Sequence, residues 1–412
     1  MVASSFWIFI FFLLNFNSLL KFFWERSHYT LVYIAILFIF YACRSVKTVS
    51  KFKVKLKIVD CVIILYAFWI FLCFFFQIVF NNITEATFIS FGQTIIPLFG
   101  YAIAKKVDDK TATKLEQIYI IFSVISILLG YLSTKVSFLN SLVNRVEYVR
   151  VDGLIETRAF SMAGGCLSTG YICGIAIGFL LVSQINKKNR MFLLVLIFMY
   201  SLMTYSRGGI FFAIIICITN YLWWFFIENK GSIKVQTIIK IVIIILGTGI
   251  FILVNWEVIS SSSFYLRMVK QGFSILEDSN VKRKLYQEAG LDIFLENFWF
   301  GKGFGFVGYE AVVYKVMGAF STESYFLLLG INTGCVGVCL FFLVIIYAIL
   351  ERNYYNEREN RKYISIIIGI IAWGFMYIVI ESDLNALIFW YCVGRLSYSE
   401  KNELITPKTH KY

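Results

Sequence analysis

Five arginines and three carboxylates are the residues of this chain best suited to chemistry: Arg150, Arg158, Arg207, Arg267 and Arg283, with Glu323, Glu381 and Asp383. Arg207 is the most telling. It sits in "TYSRGGIFFA", between the apolar runs "MFLLVLIFMYSLM" and "IFFAIIICITNYLWWFFI". Ions at a membrane edge usually face a cavity and mark a site. Gly208 and Gly209 remove side-chain bulk, so backbone N–H groups opening the next helix can join the guanidinium in holding an anion. For the other arginines, a solvated loop charge is the default reading. Glu323, in "STES", has a structural reading too. A carboxylate in a first helical turn is favoured by the helix dipole, with Thr322 or Ser321 as cap.

Other chemistries lack their residues. The two histidines, His28 and His410, stand outside any cluster, which argues against a Ser-His-Asp arrangement and against a His-based metal site. The nine cysteines form no C-x-x-C pair. Cys61, Cys73, Cys217 and Cys339 fall inside apolar runs and read as small packing residues. "GFGFVG" (303–308) matches G-x-G-x-x-G by letter, but the dinucleotide motif needs a preceding strand, a following helix and a βαβ unit. Between membrane spans its glycines read as a tight turn or a close backbone approach. "GYICGIAIG" and "GINTG" place glycines four apart, a pattern of close helix packing.

The elements that must position these residues are membrane spans. The chain has 412 residues, 59% hydrophobic and only 15% charged, against about a quarter charged in soluble domains. Its apolar residues come in long runs. About twelve spans are expected, near 5–23, 29–43, 58–80, 87–104, 116–133, 161–183, 191–204, 210–227, 241–256, 324–349, 363–380 and 384–396. The first reads as an uncleaved span, since "MVASSFWIFIFFLLNFNSLL" has no basic leader and no A-x-A-like site. Alternate connections hold 24 of the 38 Lys and Arg residues. Short connections on the other side hold three. Cytoplasmic loops carry the basic excess, so both termini are expected inside. The net charge of +13 is then a topology signal, not a nucleic-acid footprint. Two long outer segments are expected, 134–160 and 257–322. The second is partly amphipathic helix, with Leu285, Ala289, Ile293 and Phe294 at helical spacing, lying over the outer ends of the spans.

Four stretches carry a family resemblance: "RVDGLIETRAFSMAGG" (150–165), "SRGG" (206–209), "LYQEAGLDIFLENFWFGKGFG" (285–305) and "STESYFLLLGINTGCVG" (321–337). In order and sidedness the chain resembles the Wzy-type polymerases of O-antigen and capsular polysaccharide, within the O-antigen ligase-like superfamily. The resemblance implies an all-α, polytopic, GT-C-like membrane glycosyltransferase with a large outer loop between spans 9 and 10. It implies location in the bacterial cytoplasmic membrane, with the active site facing outward. Its substrate would be oligosaccharide repeat units on polyprenyl diphosphate, joined into polymer. A flippase and a chain-length regulator would be candidate partners, and nucleic acid would not be one.

Residue by residue, Arg150, Arg158 and Arg207 resemble the outer arginines that hold diphosphate. Arg283 and Arg267 resemble the loop arginines. The donor carries its own leaving group, so no cofactor, nucleotide or metal is implied. Preorganised arginines can meet the charge that builds on the departing diphosphate. Glu323 is the best-placed base for the acceptor hydroxyl, with Glu381 and Asp383 in reserve. Ligases of the superfamily carry a histidine where this chain has "TES", which counts against a ligase. A ligase, a lipid-linked oligosaccharide flippase and a general secondary transporter remain as alternatives.

Overall fold

The computed structural model describes residues 2–18, 56–80, 83–143, 148–151, 154–229, 253–262, 265–266, 278–316, 318–352, 356–378 and 383–398. In chain order they form α1 (Val2–Asn15), α2 (Ile58–Phe80), α3 (Glu85–Ile95), α4 (Leu98–Ala104), α5 (Asp109–Ser133), α6 (Ser137–Val143), β1 (Tyr148–Val151), β2 (Leu154–Thr157), α7 (Cys166–Val182), α8 (Lys187–Met203), α9 (Arg207–Trp223), α10 (Trp256–Ser261), α11 (Asp278–Glu296), α12 (Tyr309–Val313), α13 (Tyr325–Leu350), α14 (Glu357–Gly374) and α15 (Asp383–Leu396). A π-turn, Trp224–Glu228, continues α9.

Among the described residues, five helical stretches are long and apolar enough to cross a membrane: Ile58–Phe80, Glu85–Ala104, Asp109–Ser133, Arg207–Glu228 and Tyr325–Leu350. Many of their large apolar side chains point outward, among them Ile64, Phe68 and Phe75 of α2. Such a row would be untenable in water and suits lipid. The expected span 29–43 and residues 241–252 of the expected span 241–256 lie outside the described residues, so the count of twelve stays an expectation. The fold is mostly helical. One departure from all-α is the antiparallel hairpin β1–β2 in the 134–160 segment, pairing Tyr148 with Thr157 and Val151 with Leu154. The expected span 87–104 is broken at Ile96–Pro97, between α3 and α4. Proline has no N–H to continue the ladder and crowds the preceding turn.

Local chemistry sets the helix starts. Asp108 caps α5 by accepting from Thr111 N, and Asn186 caps α8 from Lys188 N. Thr84 and Thr87 make a reciprocal capping box on α3. The "GYICGIAIG" glycines lie on one face of α7. A Cβ on Gly170 would come within 2.7 Å of the Gly209 Cα, and one on Gly174 within 2.3 Å of Phe212. This backbone-to-backbone crossing of α7 and α9 is the close packing that the spacing predicts.

These contacts define two ends of the bundle. The starts of α7, α9, α13 and α15 lie with the finishes of α5, α8 and α14. At the opposite end several charges among the described residues pair with one another. Lys362 is held between Glu116 and Glu359. Arg395 meets Asp109, and Lys105 meets Asp60 at 2.6 Å.

Candidate active site

Arg207 opens α9 after a tight turn. Tyr205 takes a left-handed conformation (φ 48°), uncommon for a bulky side chain. Thr204 Oγ1 donates to Ser201 O (2.7 Å) and accepts from Ser206 N (3.1 Å). Ser206 caps the new helix by accepting from Gly209 N at 3.2 Å. Arg158 braces this turn. Its Nε donates to Thr204 O (3.0 Å) and its Nη2 to Tyr205 O (3.1 Å). The guanidinium thus meets the negative end of α8, where free carbonyls accumulate.

The glycines after Arg207 have packing roles. A Cβ on Gly208 would come within 2.2 Å of the Trp373 indole nitrogen, and Gly209 faces Gly170. Trp373 packs on Phe212 (5.2 Å between ring centres) and Tyr171 (6.0 Å). The next residue, Gly374, lies against Phe326 and Tyr325 at the start of α13. Through Trp373 and Gly374, the Arg207 turn and the Glu323 turn share one end of the bundle.

Glu323 also has a left-handed backbone (φ 55°). Left-handed conformations at non-glycine residues cluster at functional sites, because other contacts must hold them. The cap expected at Thr322 or Ser321 is instead Ser324, in extended conformation and without a side-chain cap bond. The left-handed residue turns the chain just before the helix, so Glu323 precedes the first turn and Thr322 Oγ1 donates to Ser324 O (2.9 Å). Arg283 Nε lies 3.7 Å from Glu323 Oε2, with the two side chains 46% and 24% exposed. That oxygen is buried and accepts no hydrogen bond among the described residues.

Arg283 is carried by α11, which forms over Asp278–Glu296 within the predicted amphipathic stretch. Part of the expected face is used, with Ile293 and Phe294 packed inward. Leu285 is exposed. Arg283, Tyr286, Gly290 and Phe294 face the start of α13. Tyr286 stacks on Phe320 (5.6 Å), Gly290 lies against Thr322 and Leu327, and Phe294 lies against Gly330. These four sit at i, i+3, i+7 and i+11, one helical stripe. A glycine and an arginine within it hid it from a hydrophobicity count.

The segment after α11 enters the bundle. Phe304 is fully buried against Phe91 and Phe74. Its backbone is clasped by Gln77 of α2, whose Oε1 accepts from Phe304 N (2.7 Å) and whose Nε2 donates to Phe304 O (2.8 Å). Gly301, Gly303, Gly305 and Gly308 all have positive φ. A Cβ on Gly303 would come within 2.6 Å of the Gln77 amide. "GFGFVG" is therefore a glycine-built turn that lets backbone approach side chain.

The same segment breaks α13. Gly334 has φ 69° and ψ −178° inside the helix, and a Cβ there would come within 2.0 Å of Trp299 O. The freed backbone groups find partners: Ile331 O accepts from Lys302 N (2.7 Å), Cys335 N donates to Phe298 O (2.8 Å), and Trp69 Nε1 donates to Thr333 O (2.8 Å). An interrupted helix is tolerated at membrane depth when other parts of the protein re-satisfy its backbone.

Arg150 lies on β1 opposite Ile155. Asp383 opens α15, whose first turn reaches α7 through the Tyr171 hydroxyl, donating to Asn385 O (2.8 Å). Arg267 and Glu381 lie outside the described residues. Sequence reasoning missed Gln77, Trp373 and Asn332. A lone amide in "FFFQIVF" or in "GINTG" is a usable signal, because an unpaired amide is costly in an apolar run.

The arrangement is that of a mostly helical membrane protein. One end of its bundle gathers arginines and a constrained carboxylate under a docked loop. Residues 192–342 match the family model described as O-antigen ligase. The matched segment holds Arg207, Arg283 and Glu323, and leaves out Arg150, Arg158 and Asp383. It supports placement in the O-antigen ligase-like superfamily, and it does not separate polymerases from ligases. No curated protein matches the chain.

Proposed function

We propose that the protein is a polymerase that joins polyprenyl diphosphate-linked oligosaccharide repeat units, at the outer face of the bacterial cytoplasmic membrane. The observation that carries the reading is Glu323: a carboxylate in a left-handed turn, with a buried oxygen that accepts no hydrogen bond among the described residues and a guanidinium 3.7 Å away. The acceptor hydroxyl oxygen attacks the anomeric carbon of the donor sugar, and its proton passes to the Glu323 carboxylate. The bond from that carbon to the diphosphate oxygen breaks, and its electron pair leaves with the lipid diphosphate. Arg207 and Arg283 meet the added negative charge, which costs little when the donors are already in place. Arg158 holds the Arg207 turn in position. Direct attack inverts the anomeric centre. Glutamate in "TES", where ligases of the superfamily carry histidine, favours polymerase over ligase.

Cells lacking the protein test the reading. A lost polymerase leaves single lipid-linked units at the outer leaflet. A lost ligase leaves long lipid-linked chains there, and a lost flippase leaves single units inside. Either of the last two patterns would overturn the proposal.

A further inference from the structure

A polar cleft opens beside the start of α13, within the bundle. Six polar side chains line it: Tyr66 of α2, Ser90, Gln93 and Thr94 of α3, and Tyr325 and Asn332 of α13, with Trp390 of α15 as an aromatic wall. Tyr325 stands two residues after Glu323. Asn332 sits in the break of α13, between Ile331, whose carbonyl takes the inserted loop, and the left-handed Gly334. The loop insertion therefore sets where Asn332 stands. This asparagine is only 5% exposed, and its Oδ1 accepts no hydrogen bond among the described residues. A buried amide oxygen left so is costly. Among the described residues the lining has amides, hydroxyls and aromatic faces, with Leu328, Leu329 and Ala386 between them, and no carboxylate, lysine or arginine. Such a set suits a neutral hydroxylated ligand and gives nothing to an anion or a metal ion. The cleft has about 20 Å³ of water-sized space, room for a water or two and not for a whole sugar ring.

From this geometry we infer that the cleft is a hydroxyl-binding subsite for the acceptor sugar. Water fills it in the free protein. A hydroxyl of the terminal sugar displaces that water and donates to Asn332 Oδ1, while the diphosphate-bearing donor is held separately by the arginines. Such an exchange favours a ligand that reproduces the hydrogen bonds of the displaced water. The inference rests on the polymerase reading and assigns it an acceptor-side residue. Asn332 acts by touching substrate, so its loss raises the acceptor KM more than it lowers donor binding.

The test uses the purified full-length protein in nanodiscs. Its donor, held at fixed concentration, is lipid-linked repeat units extracted from cells that lack the protein, and its varied acceptor is the same repeat unit released from its lipid diphosphate. Asn332→Leu keeps the volume and removes the acceptor atom; Asn332→Asp keeps the acceptor atom; Ser90→Ala is a second, smaller change across the cleft. Losing one neutral hydrogen bond, about 0.5–1.5 kcal/mol, is a roughly twofold to tenfold rise in acceptor KM. The expected result is that rise in Asn332→Leu, a smaller one in Ser90→Ala, and donor binding unchanged in both. Partial recovery in Asn332→Asp supports the same conclusion. Unchanged acceptor KM in folded Asn332→Leu and Ser90→Ala would mean that the cleft holds water only, and the subsite would be overturned. Should Asn332→Leu not fold, Ser90→Ala decides. A wild-type protein that makes no polymer from these units would instead sink the polymerase reading itself.

Discussion

Lys362 and Arg283 are both cations beside glutamates, at opposite ends of one helix bundle. Lys362 is 3% exposed and enclosed by Glu116 and Glu359, and the Tyr363 hydroxyl donates to the other Glu116 oxygen. Arg283 is 46% exposed and pairs at 3.7 Å with Glu323 Oε2, which accepts no hydrogen bond among the described residues. The two ends differ in closeness and exposure rather than in hydrogen bonding alone, since Glu228 Oε1, Arg361 Nε and Arg395 Nε also make no hydrogen bond among the described residues. At the basic-loop end, Arg395 meets Asp109 and Arg361 meets Glu228. At the other end, Arg158 braces a turn and Glu323 is held in a left-handed conformation by the packing around it. Charges closed on one another in a dry setting fix a structure, and removing one partner strands the other. A longer, half-exposed pair such as Arg283–Glu323 keeps more capacity for a ligand.

The comparison breaks or sharpens at particular residues. Lys362→Met leaves two glutamates without their cation and is expected to cost about 3–5 kcal/mol of stability, read as a large fall in the thermal midpoint in detergent. An unchanged midpoint would show that the basic-loop end is not the lock described here. Arg207→Ala is expected to slow polymer formation by about 10²–10³-fold, the range for losing one preorganised charge-stabilising donor. Its midpoint should stay close to wild type, and a parallel collapse in stability would make Arg207 a structural residue. Gly209→Ala puts a methyl against the Gly170 backbone, 2.7 Å away. Overpacking of that kind costs about 1–3 kcal/mol, so activity and midpoint should fall together. Arg158→Lys exchanges a two-pronged donor for a point charge. Losing one hydrogen bond to the α8 terminus, about 0.5–1.5 kcal/mol, should lower activity several-fold with little change in midpoint.

Much of the fold was legible in the sequence because lipid imposes a simple rule. A span must satisfy its own backbone and show apolar side chains, so Ile58–Phe80 falls where the apolar run does. The α11 helix was legible too, with Ile293 and Phe294 of its packed face, but not the rest of that face, because Arg283 and Gly290 carry no hydrophobic signal. The break in α13 was hidden for a different reason. Gly334 reads as a packing glycine, and only the inserted loop, with Lys302 N on Ile331 O and Phe298 O on Cys335 N, makes a break tolerable. Of the candidate site, Arg207 and Glu323 stood out by position. Gln77 and Trp373 did not, since their roles depend on contacts far away in sequence: Gln77 with Phe304, and Trp373 with Gly208. The buried triad of Lys362, Glu116 and Glu359 was hidden among loop charges, where sequence alone cannot separate solvated lysines from enclosed ones.

The account stands most directly on Glu323. Purified wild-type protein and Glu323→Gln would be given lipid diphosphate-linked repeat units, without nucleotide or divalent metal, with product length and thermal midpoint measured on the same preparations. The account predicts a ladder of products from the wild type. It predicts a loss of about 10²–10⁴-fold in rate for Glu323→Gln, the range for removing a positioned base, with substrate binding and midpoint retained. A ladder of equal rate from Glu323→Gln would contradict it, and so would a variant that loses activity only because it unfolds.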